Sequence, residues 1–210
     1  MLLTTTQVTG SNHNLKYNKD RSSKAGLFLF PLLAYLWQVM EKYILSEIFT
    51  LIPKELYSRE RGEAALKEQF SLSDGYIYNE YLLSSSNAVA AFALPQGNGP
   101  EVYPFIVRML EEAAAIDHYN KVVFHYSTER RLAHIVISTG NELKIANCFK
   151  VDTFESALYF LFLSIQQLQM NPKQCIVRVC FQASTGQQQI MDKFFNGVEI
   201  HNLSNTIFTI

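Results

Sequence analysis

Glycine and proline are scarce in this chain, 9 and 6 residues of 210. That scarcity excludes fibrous and low-complexity chains and points to a packed globule. Charge of one sign is also missing, since 18 basic and 19 acidic residues leave a net charge of -1. No global field would gather nucleic acid or anionic lipid, so a nucleic-acid partner is not expected. The three cysteines, Cys148, Cys175 and Cys180, are too few for a disulfide framework and lack the paired short spacing of a zinc site. Reduced thiols in a cytoplasmic protein are expected. What the chain does hold is apolar residues, 48% of the total with 13% aromatic, enough for a sizeable core in one domain or two small lobes.

The N-terminal segment, residues 1–43, is the odd one out. Met1 to Lys24 is polar and shows no period, whereas Ala25 to Met40 is almost wholly apolar and reads as a helix. Lys16, Lys19, Arg21 and Lys24 before it imitate the flank of a membrane or signal helix. The run is shorter than the ~20 residues a bilayer needs and contains Pro31, and no small-x-small cleavage site follows it. A membrane role is therefore not expected.

Residues 44–118 read as a first lobe. Ile44 to Ile52 is β-branched and aromatic and ends at Pro53, the pattern of one strand. Ser58 can cap a short helix through Phe70. Tyr76 to Leu83 and Asn87 to Leu94 make a hairpin across three serines. Gln96 to Pro100 is glycine-dense, yet no Lys-Ser or Lys-Thr follows, so a surface turn is expected rather than a phosphate loop. A helix from about Tyr103 to Ala115 follows, with Glu111 and Glu112 on its solvated face.

Residues 119–210 read as strand, strand, strand, helix, strand, helix, strand. Lys121 to Tyr126, Arg131 to Ser138 and Leu143 to Lys150 are the first three strands, the middle one apolar on both faces. Asp152 and Glu155 stand in a capping-box relation before a helix from Thr153 to Met170. Phe154, Leu158, Leu161, Ile165 and Leu168 form its core stripe, and Phe160, Phe162 and Leu163 widen it toward a second surface, expected to be the other lobe. Cys175 to Phe181 is a central strand with Arg178 as its one charge. Ser184 or Thr185 can cap a helix through Phe195, and Asn196-Gly197 offers left-handed residues to end it. This order of elements is that of a ribonuclease-H-like mixed sheet.

The runs Ser46 to Phe70 (SEIFTLIPKELYSRERGEAALKEQF), Asn87 to Pro95 (NAVAAFALP) and Arg131 to Gln182, with NELKIANCFKVDTFESALYFLFLSIQQLQMNP at its centre, resemble domain-of-unknown-function family 3822 of Bacteroidetes proteins. The likeness covers about three quarters of the chain. It implies an α/β fold of two ribonuclease-H-like lobes of actin-like ATPase type, here with the first lobe incomplete, and it carries no established activity.

In active relatives of that superfamily the first hairpin of each lobe carries an Asp-x-Gly turn that holds phosphate and organises magnesium. Here the equivalent turn falls at His125-Tyr126-Ser127-Thr128, where histidine is a poor replacement for a hard oxygen ligand and serine adds bulk near the phosphate. Within Met1 to Met40 the opening hairpin of the first lobe is not recognisable. Ala183-Ser184-Thr185-Gly186 stands where active relatives keep a glycine pair against adenosine, and one glycine remains. Ser184, Thr185 and Gly186, with Ser127 and Thr128, are thus the candidate nucleotide contacts, while helix capping explains Ser184 and Thr185 without a ligand.

Other chemistry lacks support. A two-metal nuclease needs several carboxylates on neighbouring strands, and only Glu129 and Glu142, both in turns, are near. His118, His125, His134 and His201 have no ligand-pair spacing and are expected to be satisfied or exposed. Ser184 lacks the nucleophile-elbow motif and no cysteine has a local activating neighbour. Arg130, Arg131, Lys144 and Lys150 can gather as a small basic patch on one side of the hairpin, read as a solvated face. No catalytic residue, metal or cofactor is expected. The expectation is a non-catalytic actin-like-fold protein that binds another protein, with an ATP-binding switch as the alternative.

Overall fold

Alternation and length sort the chain into ten strands and four α-helices over the residues the structure describes, 42–99 and 101–207. The structure is a computed structural model. The expected N-terminal helix, residues 25–40, lies outside the described residues.

Strands β6 (Asn120–Ser127), β7 (Leu132–Thr139), β8 (Glu142–Lys150), β9 (Ile176–Val179) and β10 (Gly197–Ile200) form a five-stranded sheet in the order β10-β9-β6-β7-β8. The first three are antiparallel neighbours, and β9 and β10 join in parallel through helical crossovers, as the sequence order predicts. Helix α2 (Phe105–Ala115) covers one face, where Phe105, Ile106, Met109 and Leu110 share a core with Val123, Val136 and Cys180. Helices α3 (Phe154–Gln167) and α4 (Thr185–Phe194) cover the other, packing Leu158, Leu161, Ile165 and Met191 on Phe124, Ile135 and Val177. Strands apolar on both faces, as β6, β7 and β9 are, belong under helices on both sides.

The earlier residues build two smaller sheets. Strands β2 (Phe49–Pro53), β3 (Tyr76–Leu83) and β4 (Ala88–Pro95) are antiparallel in the order β2-β4-β3, with helix α1 (Arg59–Phe70) packed on β4. Ser58 caps α1 by accepting from the Arg61 amide. Strand β1 (Lys42–Ile44) pairs in parallel with β5 (Val102–Pro104). The α2 core draws residues from all three sheets, Ile44, Phe92 and Val136 among them.

Five expectations change. The single strand over Ile44 to Ile52 is two, because the Ile48 amide donates to Ser46 Oγ and the Phe49 amide to the Glu47 carbonyl, turning the chain from one sheet into another. An apolar run cannot report which sheet each half joins. The helix expected from Tyr103 starts after Pro104, because Val102 to Pro104 is spent on pairing β1. Thr153 rather than Asp152 caps α3, accepting from the Ser156 amide, and Asp152 instead pairs with Arg131 on the surface. Phe160 and Phe162 do not reach another lobe. Phe160 stacks on Phe149 of β8 at 4.5 Å and Phe162 on Phe195 at 5.6 Å, so the wide stripe is absorbed by the sheet's end and by α4. Gly197 does not end α4 with a left-handed turn but opens β10, where a methyl group on it would collide with Ile176 Cδ1 of the paired strand.

Candidate functional site

The C-terminal ends of β6 and β9 stop beside the N-terminus of α4, and in α/β sheets such ends leave a crevice. Here they enclose a cavity of about 370 Å³ whose wall includes His125, Ser127, Thr128, Glu129, Gln182 and Gln187. Two of the candidate nucleotide contacts, Ser127 and Thr128, are therefore on its wall. Ser184, Thr185 and Gly186 are not, and Gln187 is the residue of α4 that reaches it.

Local hydrogen bonding explains that arrangement. Ser184 caps α4 by accepting from the Gln187 amide at 3.3 Å, while Gln187 Oε1 accepts from the Ser184 amide at 2.8 Å. This reciprocal capping box satisfies two of the terminal amides with side chains where a phosphate would otherwise bind. On the facing turn, Ser127 Oγ accepts from the Arg130 amide at 3.2 Å. The turn itself spans residues 128–131, with Arg131 at φ 53°, so His125, Tyr126 and Ser127 are still strand and not the turn expected from the sequence.

His125 is 3% exposed, packed edge-on against Phe105 at 4.7 Å and beside Phe181 at 6.1 Å. Its cross-strand partner is His134, with ring centroids 5.7 Å apart. Burial drives both imidazoles toward the neutral form: His134 is pushed down to about 4, and His125 well below its ordinary value, with its neighbour adding to the effect. The neutral His134 donates its Nε2–H to the Ser46 carbonyl at 3.1 Å, while the Nδ1 atoms of both rings have no partner among the described residues. Of the four histidines expected to be satisfied or exposed, His118 and His201 are exposed, while His125 and His134 are buried with an unpartnered Nδ1. The signal was present in the sequence as two histidines on strands joined by a short turn, but only the register makes them neighbours.

The donor set does not suit a magnesium triphosphate. Among the described residues Glu129 is the one carboxylate on the wall, His125 is neutral, and the Ser184 and Gln187 amides of the α4 terminus and the Ser127 oxygen have partners within the chain. Among the described residues no cluster of three or more His, Cys, Asp or Glu could hold a metal ion. The three thiols are unpaired, and burial pushes Cys180 up to about 12 and raises Cys148 further still, the opposite of an activated nucleophile.

A second polar cluster forms around Glu112, which the sequence pattern places on a solvated face. Glu112 of α2 is 4% exposed rather than solvated, and its carboxylate receives Arg108 at 2.6 Å, Arg178 of β9 at 3.1 Å and His201 Nδ1 at 2.9 Å. Arg178 continues to Glu199 of β10 at 2.9 Å. A lone arginine in the apolar run Cys175 to Phe181 was the available clue, because a charge on a covered sheet face requires a carboxylate opposite. The solvated face expected at Arg130, Arg131, Lys144 and Lys150 carries ion pairs, Arg131 with Asp152, Lys144 with Glu142 and Lys150 with Glu47, while Arg130 lines the cavity. No described helix is long and apolar enough to cross a membrane.

Comparison with curated proteins gives no match. Among solved structures the chain is similar to a Bacteroides thetaiotaomicron protein described as having an actin-like ATPase fold and unknown function, at a TM-score of 0.63 and 19% identity over 79% of this chain and 68% of that one. The fold is therefore of actin-like ATPase type. Residues 12–198 match the family described as protein of unknown function (DUF3822), and the chain belongs to that family.

Proposed function

We propose that this chain is a non-catalytic protein of actin-like fold that works in the cytoplasm by binding another protein. The observation that carries the reading is the capping box at the cavity's edge: Ser184 and Gln187 satisfy each other's amides at the α4 terminus, and among the described residues the opposing strand and turn offer a neutral His125 and a single carboxylate, Glu129. Magnesium-dependent phosphoryl chemistry needs hard oxygen ligands and open backbone donors, and both are in short supply at this place. Unpaired thiols suit a reducing compartment.

The alternative is an ATP-binding switch, favoured by the cavity that gathers Ser127, Thr128 and Gln187 on one wall. Titrating the purified chain with ATP, with and without magnesium, while following its melting temperature separates the two. Our reading expects a shift below about 1 °C at millimolar ATP. A magnesium-dependent rise of several degrees, the linkage signature of a nucleotide bound far below that concentration, would favour the switch.

A further inference from the structure

Among the described residues, two sheets present unpaired edges to the same groove. In the orders β2-β4-β3 and β10-β9-β6-β7-β8, β2 and β8 are both terminal strands. Between them runs a groove of about 500 Å³, lined by Phe49, Thr50 and Leu51 on one side and Ala146, Asn147 and Cys148 on the other. Side chains alternate between the faces of a strand, so a wall made of consecutive residues is an edge.

Hydrogen-bond parity identifies the backbone groups that point into it. In β2 the Ala93 amide donates to the Ile48 carbonyl and the Lys54 amide to the Asn87 carbonyl, bracketing the register Phe49↔Phe92 to Pro53↔Ala88. Bonded and non-bonded pairs alternate in an antiparallel ladder, so Thr50 and Ile52 bond to β4 while Phe49, Leu51 and Pro53 turn outward. In β8 the Val151 amide donates to the Arg131 carbonyl, just beyond Lys150↔Leu132. By the same rule Asn147 and Phe149 bond to β7 while Ala146, Cys148 and Lys150 turn outward. The Cys148 amide bears this out: its partner is Asn147 Oδ1, at 2.8 Å, and not β7. Outward groups recur every second residue on both edges, about 7 Å apart, which is the repeat of an extended chain.

We propose that an extended, uncharged stretch of a partner polypeptide lies in this groove as an added strand, bonded to the Leu51 edge and the Ala146 edge. This rests on the protein-binding reading and names the class of partner. The charge on the walls selects the occupant. Lys150 is paired with Glu47 at 2.9 Å and Lys144 with Glu142 at 2.6 Å, so no wall charge is left to balance one on the guest, and an unpaired charge there would lose its hydration. Leu51, Leu143, Ala146 and Cys148, packed on the core beneath, give the guest a partly apolar floor beside the polar Thr50, Gln69 and Asn147. Main-chain bonding supplies affinity and the floor supplies side-chain preference, the division of labour seen in strand addition.

The test selects phage-displayed random octapeptides on the full chain and titrates the enriched sequence, resynthesised with blocked ends, by fluorescence anisotropy. The enriched peptides are expected to carry no net charge. Ala146→Pro and Leu51→Pro each delete an outward donor that no ladder bond uses, and each should weaken binding about tenfold. Asn147→Ala, which uncaps the Cys148 amide, should tighten it severalfold. If a proline variant loses its cooperative melt, Thr50→Glu places a charge on the wall and should weaken binding instead. No enrichment, enrichment of charged peptides, affinities unmoved by these variants, or self-association of the chain abolished by Ala146→Pro overturns the proposal. A cellular partner that co-purifies equally with wild type and Ala146→Pro also overturns the groove while leaving the protein-binding reading intact. No co-purified protein together with a magnesium-dependent ATP shift overturns both.

Discussion

Replacing Glu112 by alanine removes the acceptor shared by Arg108, Arg178 and His201. The side chain of Arg178 is 16% exposed, so water cannot fully replace the lost carboxylate. Breaking one partner of a buried pair costs about 3–5 kcal/mol. The lower end applies here, because Arg108 keeps Glu111 at 3.0 Å and Arg178 keeps Glu199 at 2.9 Å. At ~2–4 °C per kcal/mol for a domain of this size, a loss of about 3 kcal/mol lowers the melting temperature by about 6–12 °C. Circular dichroism melts at pH 7, with urea unfolding alongside, measure it. The double variant Glu112→Leu, Arg178→Met should recover much of the loss, because it removes both desolvated charges and fills the same space. A melting temperature that falls by less than about 2 °C in Glu112→Ala would refute the claim that this carboxylate clamps α2 to β9.

Two further outcomes follow from the site. His134 titrates near 4 in the fold against about 6.5 when unfolded, so below pH 6.5 the unfolded chain binds the extra proton and stability falls as pH drops toward 4. His134→Phe should flatten that slope by up to ~1.4 kcal/mol per pH unit, measured by urea unfolding between pH 4.5 and 7, and an unchanged slope would contradict a neutral buried imidazole. Ser184→Ala removes the N-cap of α4 and should cost about 1 kcal/mol in thermal unfolding, and a loss no larger than that of an exposed surface serine would deny the capping box its role.

Elements stabilised within a few residues were legible before any coordinates. Short apolar runs marked β6, β7, β8 and β9, the four-three repeat from Phe154 marked α3, and Ser184 or Thr185 marked the start of α4, where Ser184 is the cap. The site was harder to read. Ser127 and Thr128 reach the cavity because a strand ends there, whereas Ser184 to Gly186 lie off its wall because Ser184 and Gln187 bond to each other first. Glu112 reads as a solvated residue because two of its three partners, Arg178 and His201, lie 66 and 89 positions away.

By itself the sequence determined the order of strands and helices from β6 to β10 and the two-sided cover of the central sheet, since hydrophobic period and capping chemistry act within one or two turns of chain. Only the tertiary structure decided that His125 faces His134, that Arg178 finds Glu112, and that the free edges of β2 and β8 border one groove. Those outcomes depend on register and on which sheet a strand joins, and pairing between distant segments leaves no local periodicity to read.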